Sequence, residues 1–273
     1  MSDSFSPDEL IERSINLIKQ QREVYGDFST KIDATKPAEE PVIKSTKVEE
    51  PSVSFSETTQ DTEPQSPPTI KEKTVSMPSK SDLIAQCSTL DELKALCEKE
   101  EVLRTDLEGT NLVFGVGNPN ADLLIVGEAP GVNEDKVGEP FVGRAGKLLD
   151  QIMEAINFTR DDIYIANILK HRPPNNRDPK PDERKRSLPY LLRQIELINP
   201  KLVLCVGRIS AITLLGKDMS LKDMRQQFHE FHGRELMATY HPAALLRNPN
   251  WKRPTWEDVQ LLRERYDELG GKP

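Results

Sequence analysis

The sequence predicts an α/β domain with a largely parallel sheet, preceded by a polar tail. Three observations carry that expectation. Four short apolar segments, within Leu123–Val126, Asp162–Lys170, Leu202–Gly207 and Glu235–His241, are separated by stretches of helical pattern. The first is short enough for a strand buried on both faces, as in a parallel sheet. Upstream, from about Gly26 to Lys80, Pro, Ser, Thr, Glu and Lys dominate and apolar residues are isolated. Such a segment cannot bury enough apolar surface to offset its chain entropy.

The chain has 273 residues, a net charge of −8, 5% aromatic and 30% charged residues. That balance argues against coating nucleic acid by bulk electrostatics and leaves room for a local basic cleft. Cys87, Cys97 and Cys205 lie far apart and form no paired spacing, which suits a reducing compartment. The N-terminus lacks a secretory apolar core, and no apolar run approaches the roughly 20 residues that span a bilayer. The expectation is a cytoplasmic, monomeric protein without a membrane segment.

Taken in order, residues 1–26 read as a short amphipathic helix. Ser6 is its N-cap, Pro7 its first residue, and Leu10, Ile11, Ile15, Leu17 and Ile18 form a partial stripe. It reads either as a partner-binding helix or as a marginal one. Residues 27–80 read as a disordered linker, and 81–273 as the folded domain. Ser81–Cys87 and Thr89 to about Val102 read as helices, with a capping box at Thr89–Glu92. The first strand runs into Gly127-Glu-Ala-Pro-Gly131, where two glycines and a proline force a turn. A second turn, Gly138-Glu-Pro140, delivers Phe141, and Gly143–Ile156 reads as a helix with Leu148, Leu149 and Ile152 on one face. After the second strand comes a basic, proline-stiffened loop, His171–Pro181. A helix over Asp182–Ile198 follows, in which Pro189 marks an interruption. The third strand leads to a helix at about 208–215, and a last helix spans about 255–269.

In parallel sheets the ligand crevice lies beyond the carboxyl ends of the strands. Those ends carry Glu128-Ala-Pro-Gly131, Asn167 and His241. Gly-rich backbone beside a presented aromatic suits a flat ligand, hydrogen-bonded by N–H groups and stacked on the ring. Asn167 lies inside an apolar run, so its amide must find a partner in protein, water or ligand.

The same residues carry a family resemblance. Gly127-Glu-Ala-Pro-Gly131 with Glu134-Asp135, Pro140-Phe-Val-Gly-Arg-Ala-Gly146, Asn167 before Lys170-His-Arg-Pro-Pro-Asn-Asn-Arg177, and His241-Pro-Ala-Ala-Leu-Leu-Arg247 occur in order with compatible spacing. Over roughly residues 100–270 the chain resembles family 4 uracil-DNA glycosylases. The resemblance implies a three-layer α/β/α fold with a central four-stranded parallel sheet, and excision of uracil from DNA with an abasic site left behind.

Elementary chemistry agrees with that implication. A base inside a duplex must be flipped out to be reached. Phe141 offers a stacking face, Asn167 a donor and an acceptor for the O4 and N3 edge of uracil, and the backbone around Ala129 a donor for O2. His241 would hydrogen-bond the oxyanion that develops on the leaving uracil. Leu245 or Leu246 would fill the space vacated by the base, with Arg247 on a phosphate. Arg172 and Arg177 of the basic loop are further DNA contacts. Some relatives in the wider superfamily have an Asp where this chain has Ala129, so Glu128, Glu134 or Asn176 would supply help to water.

The family typically holds a four-iron four-sulfur cluster on four cysteines. Here those positions hold Glu100, Leu103, His171 and Ser187, with Cys97 three residues off register. Leu103 cannot ligate, and Glu100 and Ser187 are poor ligands for a soft metal. No cluster and no other metal is therefore expected. An enzyme is the leading reading. A non-catalytic module binding uracil or single-stranded DNA on the same fold is the alternative, and a tethering protein recruiting a partner through the N-terminal helix is a third.

Overall fold

The computed structural model describes residues 79–271. The helix expected at residues 1–26 and the linker expected from 27, up to residue 78, lie outside the described residues.

The described chain opens with α1 (Lys80–Gln86) and α2 (Leu90–Lys99). Helix α1 starts before the expected Ser81 because Ser79 caps it: its hydroxyl accepts from the Asp82 N–H, and the Asp82 carboxylate accepts from the Ser79 N–H at 2.9 Å. Thr89 caps α2 by accepting from the Glu92 N–H at 3.2 Å. A 3₁₀ turn, Glu101–Leu103, replaces the expected last turn of α2.

Strands and helices then alternate: β1 (Val116–Gly117), β2 (Leu123–Gly127), α3 (Val132–Val137), α4 (Arg144–Glu154), β3 (Ile163–Asn167), α5 (Pro181–Ile198), β4 (Leu202–Val206) and α6 (Arg208–Leu215). They are followed by α7 (Leu221–Met224), β5 (His229–Phe231), β6 (Arg234–Thr239), α8 (Pro242–Arg247) and α9 (Lys252–Glu268). Helix α5 is continuous through Pro189, which stands on its exposed face.

The sheet order is β1-β3-β2-β4-β6-β5. Its four central strands, β3, β2, β4 and β6, are parallel, as the apolar runs predict. Two short strands extend it, β1 antiparallel to β3 and β5 antiparallel to β6. Neither carries an apolar run, so sequence pattern gave no sign of them.

Every residue of β2, β3 and β4 is buried, because helices cover both faces of the sheet. On one face Leu123, Ile125, Leu202 and Leu204 pack against Leu148, Leu149 and Ile152 of α4 and Val259, Leu262 and Tyr266 of α9. On the other, Leu124, Val126, Val203 and Cys205 pack against Leu191 and Ile195 of α5 and Ala211 and Leu214 of α6. Helices α1 and α2 add an outer cluster in which Leu93, Cys97 and Leu103 meet Phe114 and Tyr190. No helix among the described residues is long and apolar enough to cross a membrane.

A buried ion pair ties the end of α7 to α9, and β6 joins it through Thr239. Arg225 donates to Asp258 from Nε at 2.7 Å and from Nη2 at 2.9 Å, and the Thr239 hydroxyl donates to the same carboxylate. Both partners are out of solvent. We expect Asp258→Ala to lower the unfolding free energy by about 3–5 kcal/mol, the usual cost of leaving one buried charge unpaired. Denaturant unfolding checks this, and a loss within experimental error would remove the pair from the account of the fold.

Candidate active site

The carboxyl ends of β2, β3 and β6 open onto a cavity of about 550 Å³, bounded by Glu128, Pro130, Phe141, Asn167, Asn176 and His241. Four of these residues, Glu128, Pro130, Asn167 and His241, were the ones expected at strand ends. They meet because the parallel register sets Gly127 beside Asn167. Hydrogen bonds carry that pairing past the strands, from the Ile168 N–H to the Gly127 carbonyl (3.0 Å) and from the Leu169 N–H to the Glu128 carbonyl (3.1 Å).

Gly127 is required there. A Cβ at this position would collide with Asn167 Oδ1 and with the Phe141 ring. Phe141 itself has φ of 56°, a left-handed conformation unusual for a bulky residue. Two neighbours hold it. Gly146 leaves room for the Phe141 carbonyl, against which any Cβ would clash. Arg160 donates from Nη2 to that carbonyl and from Nη1 to the Pro140 carbonyl (3.4 Å), and its Nε is held by Asp150 at 2.8 Å. Nothing in the local sequence marks Arg160, because its role is set by a contact across about twenty residues.

Asn167 is buried, and its Oδ1 has no hydrogen-bond partner among the described residues. An orphan buried acceptor is costly and points to a missing ligand. The Ala129 N–H likewise has no acceptor among them.

His241 is the N-cap of α8, and its Nδ1 accepts from the Ala243 N–H at 3.1 Å. In the neutral ring the proton therefore sits on Nε2, which is left as the donor. Burial, aided by Arg247 and opposed by Glu134, pulls the imidazole down to about 4, so it is neutral at pH 7. Its ring stacks on Phe141, with centroids 5.5 Å apart. The preceding Tyr240 is clamped between the Arg225 guanidinium, 4.5 Å from its centroid, and the Trp251 ring at 4.8 Å.

The two glutamates differ. Glu134 accepts from the N–H groups of Gly131 (3.2 Å), Val142 (3.1 Å) and Gly143 (2.8 Å). It ties the Gly131 turn to the Phe141 turn, and both its oxygens are committed to main chain. The carboxylate of Glu128 has no hydrogen-bond partner among the described residues. Burial first, then the nearby Asp178, pushes its carboxyl up to about 7, against the pull of Arg184 and Arg247. Asn176 lines the cavity with φ of 51°, and its Oδ1 accepts from Arg172 Nε at 2.8 Å.

The expected DNA contacts sort by exposure. Leu246 is 42% exposed while Leu245 is 1% exposed. Leu245 is therefore a core residue in this structure and not the wedge; the turn of α8 puts only one of the two leucines outside. Arg247 is exposed at the cavity rim and makes no ion pair among the described residues. Arg177, expected on DNA, is instead engaged by the Glu183 carboxylate at 2.7 and 2.8 Å and by Asp106 at 3.1 Å. Its charge is spent on holding the basic loop to the start of α5.

The four cluster positions do not fit an iron–sulfur cluster. Leu103 is buried apolar surface. The Ser187 hydroxyl donates to the Ile168 carbonyl at 2.6 Å, Glu100 pairs with Lys80 at 2.9 Å, and His171 Nδ1 is hydrogen-bonded to Thr110 at 3.0 Å. Cys97 is buried, and burial pushes its thiol up to about 12, far from the thiolate a metal needs. Among the described residues no three His, Cys, Asp or Glu side chains are grouped to hold a metal ion.

Comparison with known proteins places these features in a family. Residues 114–261 match the Uracil DNA glycosylase superfamily. The chain is similar to the type-4 uracil-DNA glycosylase of Sulfurisphaera tokodaii, with 46% identity over 164 residues, 57% of this chain and 74% of that protein. It is 40% identical over 176 residues to the type-4 enzyme of Archaeoglobus fulgidus, covering 62% of this chain and 87% of that protein. For the type-4 enzyme of Saccharolobus solfataricus the identity is 43% over 173 residues, 60% and 78% of the two chains. The matched region contains the strand ends, the Phe141 and Asn167 turns and His241, and the chain belongs to the uracil-DNA glycosylase superfamily, in its type-4 family.

Proposed function

We propose that this protein is a monofunctional uracil-DNA glycosylase that hydrolyses the N-glycosidic bond of uracil in DNA. Water and the deoxyuridine give free uracil and an abasic site. The observation that carries the reading is the buried, unpartnered Asn167 amide beside Phe141. With Oδ1 accepting from uracil N3–H and Nδ2 donating to O4, the amide is satisfied by uracil and mismatched by cytosine, whose edge is reversed. Phe141 stacks on the flipped base, and the Ala129 N–H is available to O2.

Catalysis follows from charge development. As the glycosidic bond breaks, negative charge grows on uracil and positive charge on the sugar. Neutral His241 donates from Nε2 to the developing oxyanion without moving a full positive charge into the pocket. Glu128, ionised in part near neutrality, is the group suited to take a proton from the attacking water. Glu134 and Asn176 position the two loops around it. Leu246 and Arg247 form the DNA-facing rim, and Arg172 of the basic loop is a further DNA contact.

No iron–sulfur cluster forms part of this reading; packing of Leu103 and the hydrogen bonds of His171 and Ser187 stand in its place. We further propose a cytoplasmic monomer, with residues 1–26 available to a protein partner. The buried, free cysteines suit a reducing compartment.

The decisive assay is incubation of the protein with a uracil-containing oligonucleotide. Alkali-labile sites and free uracil are expected; uracil-specific binding without cleavage would turn the reading to a binding module. Three variants and conditions refine it. His241→Ala should keep its fold and lose about 10²–10³ in kcat, the usual cost of one oxyanion donor; near wild-type turnover would exclude His241 from the mechanism. Glu128 must be ionised to act as base, so kcat/KM should rise with pH through about 7, while His241 loses its neutral form only as pH falls through about 4. Glu128→Gln should therefore abolish the inflection near 7; a profile unchanged in shape assigns that limb elsewhere. Protein purified without oxygen should contain no stoichiometric iron, and chelators should leave its melting temperature and rate unchanged. Brown protein bleached by a chelator together with its activity would overturn the reading of Glu100, Leu103, His171 and Ser187.

A further inference from the structure

Lys170 is fully buried, yet the mechanism above does not use it. Its Nζ donates to the Asn167 carbonyl at 3.2 Å, the Phe114 carbonyl at 3.0 Å and Gln194 Oε1 at 2.7 Å. Three N–H groups thus meet three neutral acceptors, and no carboxylate pairs with the charge. Burial pulls the ammonium down to about 8. A buried cation without a counter-ion is costly to the fold, and an apolar residue of the same length would fill the space at less cost.

What the ammonium grips is informative. The Asn167 carbonyl belongs to the residue whose side chain faces the pocket. The next carbonyl, of Ile168, accepts from Ser187, and the Lys170 carbonyl accepts from the Val113 N–H at 2.8 Å. Gln194 is fixed in turn, its Nε2 donating to the Phe114 carbonyl at 3.2 Å and to the Tyr164 hydroxyl at 3.1 Å. The turn from Asn167 to Lys170 is therefore held from behind by side chains of α5 and from the front by the Gly127 and Glu128 carbonyls. Against Gly127, Asn167 Oδ1 has no slack, so a small rotation of the Asn167 peptide would move the amide out of line with a flat base.

We propose that Lys170 is a positioning residue for uracil recognition: its buried ammonium fixes the main chain of Asn167, and so aims the Asn167 amide. This rests on the proposed uracil-excising activity.

The test uses free uracil as a competitive inhibitor, which reads recognition apart from DNA binding and chemistry. Lys170→Met keeps the length and removes the donors. Below its melting temperature it should weaken inhibition by free uracil about tenfold or more, the range for hydrogen bonds to a charged group. Affinity for an oligonucleotide carrying an abasic site, which needs no base recognition, should be unchanged. Lys170→Gln, which retains a neutral donor, should fall between the two and serves if the methionine variant does not fold. Val259→Ala, in the core on the other face of the sheet, supplies a destabilised control whose uracil inhibition should match wild type. Wild-type inhibition by uracil in a folded Lys170 variant overturns the proposal and leaves the activity standing. A wild-type protein that neither excises nor binds uracil overturns both.

Discussion

At Gly127 the chain has no room for a side chain. The Asn167 amide and the Phe141 ring both lie against its Cα, and the rest of the pocket is arranged around that contact. The close approach needs β2 and β3 in parallel register, since only that pairing brings the residue after Val126 beside Asn167. It needs Phe141 in a left-handed conformation, which needs Gly146 beneath its carbonyl and Arg160 on it. The helices α4 and α9 that bury one sheet face supply the mass against which this strain is held.

Desolvation shapes the chemistry of the same place. It keeps His241 neutral and lifts Glu128 toward neutrality, so the pocket holds an uncharged donor and a weakly acidic carboxyl. A site made this way stabilises a charge that exists only in the transition state. Arg247 acts on both groups from the rim, lowering each, so an exposed cation also tunes the chemistry of the pocket. Glu134 shows the opposite use of a carboxylate: three main-chain N–H groups consume it, and two loops become one wall.

Away from the pocket, Ser187 and His171 illustrate how neighbouring positions can be kept for shape. Ser187 holds the Ile168 carbonyl and His171 holds Thr110, while Leu103 fills apolar space between α2 and α5. Arg177, with Glu183 and Asp106, and Lys180, with Asp106, staple the basic loop that follows. These are short-range, directional contacts, and together they fix the segment that leaves β3.

Much of this was readable in the residues. Continuous apolar runs specify a parallel sheet because both faces of each strand must be dry, and turn residues at strand ends specify where a ligand can approach. Gly127, Phe141, Asn167 and His241 were thereby marked as a group. The short edge strands β1 and β5 were not readable, since their pairing rests on neighbours and not on their own pattern. Nor was the division of labour among like residues. Leu245 and Leu246 are identical in type, and only the helix turn decides which is buried. Glu128 and Glu134 are likewise identical, and only the placement of backbone donors decides which stays free. Arg160 is unremarkable in sequence, and the role of Lys170 is hidden there, because Phe141, Phe114 and Gln194, which they hold, lie far along the chain. The local sequence determined the strands, turns and residue types of the site. The tertiary structure decided exposure, protonation and hydrogen-bond commitment, which depend on distances between segments that no local pattern encodes.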